Sequence, residues 1–431
     1  MKLYINGEYK NSITFPGSFK MPNTTSNPFS LMGYDNDGRY VPNGIMYSYK
    51  SYNKKLSNYQ IKQSYLYAKN RYFKKFKNIK NSTTIRINQH IVDPNKIVRR
   101  MVDNNGIELI RSNSHRYVGN TNDQGVMILK QLRDNDGTKY LDGTDAPIAT
   151  LGNDVWMKLP QFWYKAEEYD TDVWDITFAY GTKPDNTFKE WDGKDLIGVY
   201  KAYISGSKMY SVSGVIPTGG YSVTSFDTMA KARGNGYSML KWKYYCIMAF
   251  LFFCYYGTTN SNSICGIGDD WDNYNENGLC DSLGMTDTVK ADNVPMNFWG
   301  LESWWGMKYE MIGNLRVNYL SWKVTEDDGT ERTITNSISQ TSTSSYVTSK
   351  MFIGEDLDLV PIESLYSSGF NQGYCNMCYI VSDSNRIFLS GYHGGAILSG
   401  IANTHVGWTT SQTGEAISSR LSYRGDYIII G

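Results

Sequence analysis

Residues 237–257 read YSMLKWKYYCIMAFLFFCYYG, and the way this stretch is buried decides what kind of fold the chain has. Its most apolar part, Tyr244 to Tyr256, is 13 residues long, whereas a bilayer span needs roughly 20. No Gly or Pro interrupts it, and Gly257 follows as a stop, so it reads as a helix buried inside a globular protein. Cys246 and Cys254 fall within the helix, where a free thiol behaves as a small hydrophobe. Just upstream, FDTMAKARGNG predicts a first helix that closes near Gly234 with Arg233 in its last turn.

Short extended segments surround this helix pair. In DVWMKLPQFWYKAEEY, Val155, Met157 and Leu159 alternate with their neighbours as a strand requires, and Pro160 ends the run. TDVWDITFAY at 171–180 repeats the alternation, and GTKPDNTFKEWDGKDLIGVYKAYI passes through a turn-rich loop into a strand around Leu196 to Ile204. DPNKIVRRMVDNNGIELI predicts a short helix after its Asp-Pro start and then an edge strand, with a turn at Asn104-Asn105-Gly106. Two helices among many short strands make the fold class α+β.

Composition narrows the functional classes. With 431 residues and 41% hydrophobic content the chain can bury a large core. Net charge is +1, so the molecule as a whole has no bias toward nucleic acid or an anionic membrane. Partner choice must then come from local surfaces, and 35 Tyr and 11 Trp supply large amphipathic contact area with few torsions to freeze. The start, MKLYINGEYKNSITF, lacks the apolar run of a secretory signal. Six cysteines are too few for a disulfide scaffold. Together these lead to the expectation of a chain assembled in a reducing cytoplasm.

Charge divides the sequence near residue 92. Gly38 to Val92 contains no Asp or Glu and is rich in Lys and Arg. Within it Ile61, Tyr65, Ala68, Tyr72, Phe76 and Ile79 recur at three- and four-residue spacing, which predicts an amphipathic helix starting near Ser57 with a lysine-rich outer face. Such a face suits nucleic acid, a partner helix, an acidic protein surface or simple solvation. The first 50 residues, with their Gly, Pro, Asn and Ser clusters, read as an extended arm.

Beyond Asp93, several blocks occur in a fixed order: RSNSHRYVGNTNDQGVMILKQLRDNDGTKYLDGTDA, DVWMKLPQFWYK, KEWDGKDLIGVYKAY, KARGNGYSMLKWKYYCIMAFLFFCYYGTTNSNSICG, DSLGMTDTVK, NFWGLESWWG and ISSRLSYRG. Together they resemble the variable proteins of diversity-generating retroelements and their phage relatives, especially those of gut Bacteroidales. The resemblance covers about Asp93 to Gly431 and leaves out residues 1–92. It implies a C-type-lectin fold close to that of formylglycine-generating enzymes. In that family a rigid platform carries a solvent-facing ligand surface just upstream of a fixed terminal strand, which matches Ser418 to Gly425.

The resemblance therefore places a display surface at about 373–408. Its exposed candidates are Tyr374, Asn376, Met377, Tyr379, Ser390, Tyr392, His393, Ser399, Ile401, Asn403, His405 and Trp408. Aromatic rings mixed with small polar residues suit adaptable recognition, and rings stack on the apolar faces of sugars. Residues 1–92 would form the anchoring domain and 93–431 the ligand-binding domain.

Other chemistries find little support. Cys375 and Cys378 form a lone C-x-x-C without a second ligand pair, and in an extended strand residues three apart point to opposite faces, so neither a zinc site nor a redox dithiol is expected. The segment instead reads as a hairpin, Tyr374 to Val381 against Arg386 to Leu389, with its buried face undecided. Of the four histidines, His90, His115, His393 and His405, none accompanies a G-x-S-x-G elbow. Asp269, Asp270, Asp272 and Glu276 suit calcium or glycoside hydrolysis, but the spacing is not that of an EF-hand. No cofactor and no metal are expected.

The expectation is a non-enzymatic virion surface protein from the head, collar or tail fibre. It would bind a bacterial surface glycan or protein, with residues 1–92 meeting other virion proteins and the chain forming a trimer or dimer. The alternatives are a purely structural decoration and an enzyme that degrades surface polysaccharide.

Overall fold

The computed structural model describes residues 2–5, 8–12 and 79–431, apart from 101–104, 270–274, 291–293, 341–345, 368 and 392–397. The chain divides into two compact units, Met1–Asn78 and Ile79–Gly431. In the first, Lys2–Ile5 pairs antiparallel with Glu8–Ser12. The rest of the arm and the basic helix expected from Ser57 lie outside the described residues.

The second unit starts earlier than the charge boundary at 92. Ser82–Asn88 is an inner strand, hydrogen-bonded between Val173–Tyr180 and Val98–Arg100. Its alternation explains the correction: Ile85 and Ile87 enter the core while Arg86, between them, forms a two-pronged ion pair with Asp175 at 2.6 Å. Counting lysines hid this period-two signal.

The second unit is mixed but dominated by strands, with several antiparallel sheets, in keeping with an α+β class. The largest sheet runs in the order Tyr237–Met239, Arg420–Arg424, Asp195–Lys201, Asp154–Lys158, His115–Thr121, Met127–Arg133 and Tyr427–Ile430. A second orders Lys189–Trp191, Phe162–Asp170, Val173–Tyr180, Ser82–Asn88 and Val98–Arg100. A third orders Glu331–Asn336, Ser321–Thr325, Tyr309–Asn318, Arg386–Ser390, Thr404–Val406 and Cys378–Ile380.

The long helix, Trp242–Tyr256, is the hub of the core. Of its 15 residues 12 are buried, so it is wrapped on all sides rather than along one stripe. Trp191, Phe298, Trp322, Tyr374 and Phe388 pack their rings against it. Its polar groups are satisfied from outside. Asn314 Oδ1 accepts the Trp242 N–H at 2.7 Å, Asp358 accepts the indole N–H at 2.8 Å and Asp195 accepts the Tyr244 hydroxyl at 2.7 Å. Among the described residues no helix is long and apolar enough to cross a membrane.

Gly257 closes this helix in the left-handed region, φ 68°, and its N–H donates to the Phe253 carbonyl. A Cβ there would meet open space, so Gly257→Ala should cost only its backbone strain, about 1 kcal/mol. A denaturant titration showing no loss would contradict that assignment. The preceding helix is Val223–Lys231, capped by the Ser222 hydroxyl, which accepts the Ser225 N–H.

Three local expectations are corrected. The short helix after Asp93 and the edge strand appear as Pro94–Ile97 and Val98–Arg100, but GIELI, read without a helix, is part of the helix Gly106–Ser112. Ile107 and Ile110 bury one helical face, and Gly106 abuts the Ser82 backbone where a Cβ would clash at 2.5 Å. Tyr237–Met239, expected to begin the long helix, is a strand paired with the buried strand Arg420–Arg424. Finally, the hairpin expected of Tyr374 to Val381 and Arg386 to Leu389 does not form: the observed strands, Cys378–Ile380 and Arg386–Ser390, are not paired with each other. Thr404–Val406 lies between them, parallel to the first and antiparallel to the second.

Candidate functional site

The inserted strand at 404–406 changes the fate of the expected display residues. Sandwiched in the third sheet and backed by the long helix, most of the segment becomes core. Tyr374, Asn376, Met377, Ser390, Ser399, Ile401, Asn403 and His405 are buried, contrary to their expected exposure. Their polar groups are used internally. The Tyr374 hydroxyl donates to Gln89 Oε1, Asn376 clamps the Ser399 carbonyl and the Ala402 N–H, and the Ser399 hydroxyl donates to the Gly391 carbonyl. The Ile401 carbonyl accepts the Tyr245 hydroxyl of the long helix at 3.0 Å, and Asn403 Nδ2 donates to the Leu398 carbonyl at 3.2 Å. Tyr392 and His393 lie outside the described residues.

Tyr379 and Trp408 are half-buried and reach the surface. The His405 ring lies between two tyrosines, 4.9 Å from Tyr379 and 5.1 Å from Tyr309. The absence of a side chain at Gly407 permits this tilted cluster of rings, since a Cβ there would sit 2.4 Å from the Tyr379 ring. The Trp408 indole lies over Gly414, where a Cβ would approach it to 2.7 Å. The sequence reading thus found a real aromatic strip but placed too many of its neighbours in solvent.

Sequence reasoning missed the cleft next to this strip. The Gly414 carbonyl accepts the N–H of Gly220 at 3.0 Å, and Gly220 lies in the loop 216–221, one wall of a cleft of about 510 Å³. Lys308 and Glu415 complete the lining. Lys308 is buried at the floor, its Nζ donating to the Glu415 main-chain carbonyl. Burial pulls its pKa below the ordinary lysine range, opposed by the Glu415 charge. Ile216 and Tyr221 are 50% and 39% exposed at the rim. The signal in the sequence was Gly219-Gly220: the first leaves no room for a Cβ beside the Glu415 backbone, the second none beside its carboxylate.

Beneath the cleft, charges are locked in the core. Glu310, two residues on from Lys308 and inside the strand Tyr309–Asn318, accepts from Lys201 Nζ at 3.0 Å and from Arg420 Nη2 at 3.2 Å. Arg420 also donates to the carbonyls of Gly198, Val199, Glu302 and Ser303. Its strand, Arg420–Arg424, lies between Asp195–Lys201 and Tyr237–Met239. Burial draws Lys201 down to about 8, against the pull of Glu310.

Nearby, Glu302 accepts the N–H groups of Gly278 and Cys280 at 2.7 and 2.8 Å. Burial first, then the charge of Asp281, raises it to about 7, with the two N–H groups and Arg116 acting in the opposite sense. A carboxyl raised on folding binds its proton more tightly in the native state. Its contribution is therefore complete below the unfolded value of 4.5 and lost as pH rises through about 7. Stability measured by urea titration should fall across that window in the native chain, and Glu302→Gln should flatten the fall. An unchanged slope in the variant would contradict the assignment.

Among the described residues no nucleophile arrangement emerges. His115 Nδ1 pairs with Asp134 at 2.9 Å, and His90 Nε2 contacts the Thr171 carbonyl. Cys375 and Cys378 are buried free thiols pushed up to about 12 by burial, the reverse of a reactive thiolate. Of the acidic loop, Asp269 is buried and Glu276 exposed, while Asp270 and Asp272 lie outside the described residues. Among the described residues no three His, Cys, Asp or Glu side chains converge as a metal site would need. Compared with protein-family models and with curated proteins, the chain matches none.

Proposed function

We propose that this chain is a phage virion surface protein whose second unit, a C-type-lectin-like domain, binds a bacterial surface glycan or protein without converting it. The observation that carries the reading is a set of rings beside a cleft: half-buried Tyr379 packs against buried His405, and half-buried Trp408 lies over Gly414, whose carbonyl holds the cleft loop at Gly220. Aromatic rings held on rigid strands beside a preformed cleft are the ingredients of recognition rather than catalysis. The resemblance of the ordered sequence blocks to diversity-generating-retroelement variable proteins supports the same reading, as does the buried strand Arg420–Arg424, which would fix the display surface from below.

In this proposal the N-terminal segment contacts other virion proteins, and the chain assembles as a trimer or, failing that, a dimer, so that weak individual contacts add by multivalency. The test is the position of the chain in a reconstruction of the whole particle. The reading expects Trp408, Tyr379 and the cleft to face outward. If they are covered by another virion protein, the chain is a structural decoration and the proposal falls.

A further inference from the structure

We infer that the cleft between loop 216–221 and Glu415 takes a neutral hexopyranose ring, its C–H face against Tyr221 and Ile216 and its hydroxyls between the Lys308 ammonium and the Glu415 carboxylate. This inference rests on the reading of that face as ligand-binding and supplies the ligand's chemical class. Size comes first. A volume of about 510 Å³ lies within the range of roughly 300–1,000 Å³ typical of small-ligand sites.

Charge comes second. Lys308 can only donate hydrogen bonds and Glu415, ionised, can only accept them. An anionic ligand would meet the carboxylate and a cationic one the ammonium, whereas each sugar hydroxyl both donates and accepts. Charge-assisted hydrogen bonds to both partners are stronger than neutral ones.

Shape comes third. Ile216 and Tyr221, 50% and 39% exposed, stand together at the rim and offer the apolar face that a sugar ring's C–H face can cover. The Tyr221 ring is fixed edge-on by Phe226 at 5.8 Å, which makes it a rigid wall. Lys308 is held at the floor by the Glu415 main chain, so little side-chain freedom is lost on binding.

The test uses the full chain and saturation-transfer NMR with titration of methyl glucoside, methyl mannoside and methyl galactoside. Methyl glucuronoside and glucosamine serve as the charged comparators. The inference expects at least one neutral glycoside to bind more tightly than both charged sugars. Glu415→Gln and Tyr221→Ala, each with an unchanged melting curve, should weaken it about tenfold. It is overturned if no neutral glycoside binds, if a charged sugar binds as well, or if binding survives both substitutions. Adsorption to host cells in the absence of sugar binding would leave the receptor-binding reading standing, with a protein receptor, and remove only this inference.

Discussion

Replacing Glu310 with Leu is expected to cost about 3–5 kcal/mol of stability, because it leaves the Lys201 ammonium and the Arg420 guanidinium buried side by side without their shared carboxylate. All three side chains are almost completely inaccessible, so solvent cannot relieve the repulsion. The loss is specific to an unpaired charge. Adding Lys201→Met to Glu310→Leu removes one of the stranded cations, so the double variant should recover part of the deficit. Arg420→Lys should also be costly, since an ammonium cannot reproduce the fork that reaches Glu310 and four main-chain carbonyls at once. Urea titrations of the variants would check this. A Glu310→Leu variant of native stability would mean that the triad does not hold the strand Arg420–Arg424 against the strand Tyr309–Asn318.

The second large effect concerns binding. Trp408→Ala and Tyr379→Ala together should lower adsorption of the purified chain to host bacteria about thirtyfold, the loss expected on truncating aromatic anchors worth about 2 kcal/mol. Both side chains are half-buried, with their backbone hydrogen bonds made by main-chain groups, so the variant should stay folded. Circular dichroism would confirm that. Undiminished adsorption by a folded variant would move the receptor surface elsewhere. By contrast, alanine at Asn376 or Tyr374 is expected to act through stability, since both are internal hydrogen-bond partners.

Much of the fold was legible because its signals are local. The length and purity of 244–256 defined the central helix, Gly257 its end, and alternation the strands at 154–158 and 173–180. What escaped was set by distant pairing. Nothing local in 374–390 shows that Thr404–Val406 will insert between its two strands, and that insertion turns an expected display face into core. The same holds for the cleft, assembled from segments near 218, 308 and 415 that are far apart in sequence. Within the candidate surface, Tyr379, His405 and Trp408 were identifiable by type. Where the Tyr379 and Trp408 rings sit depended on the glycines at 407 and 414, whose missing side chains leave room for them.

The central claim is that the strip and cleft meet the bacterial surface, and hydroxyl-radical footprinting tests it most directly. The full chain would be oxidised alone and when bound to host envelope, and side-chain modification compared by mass spectrometry. The account predicts strong protection of Trp408, Tyr379 and Tyr221 in the bound state, with the exposed Tyr319 and Tyr366 unchanged. Equal oxidation of Trp408, Tyr379 and Tyr221 in both states, with protection appearing elsewhere, would contradict it.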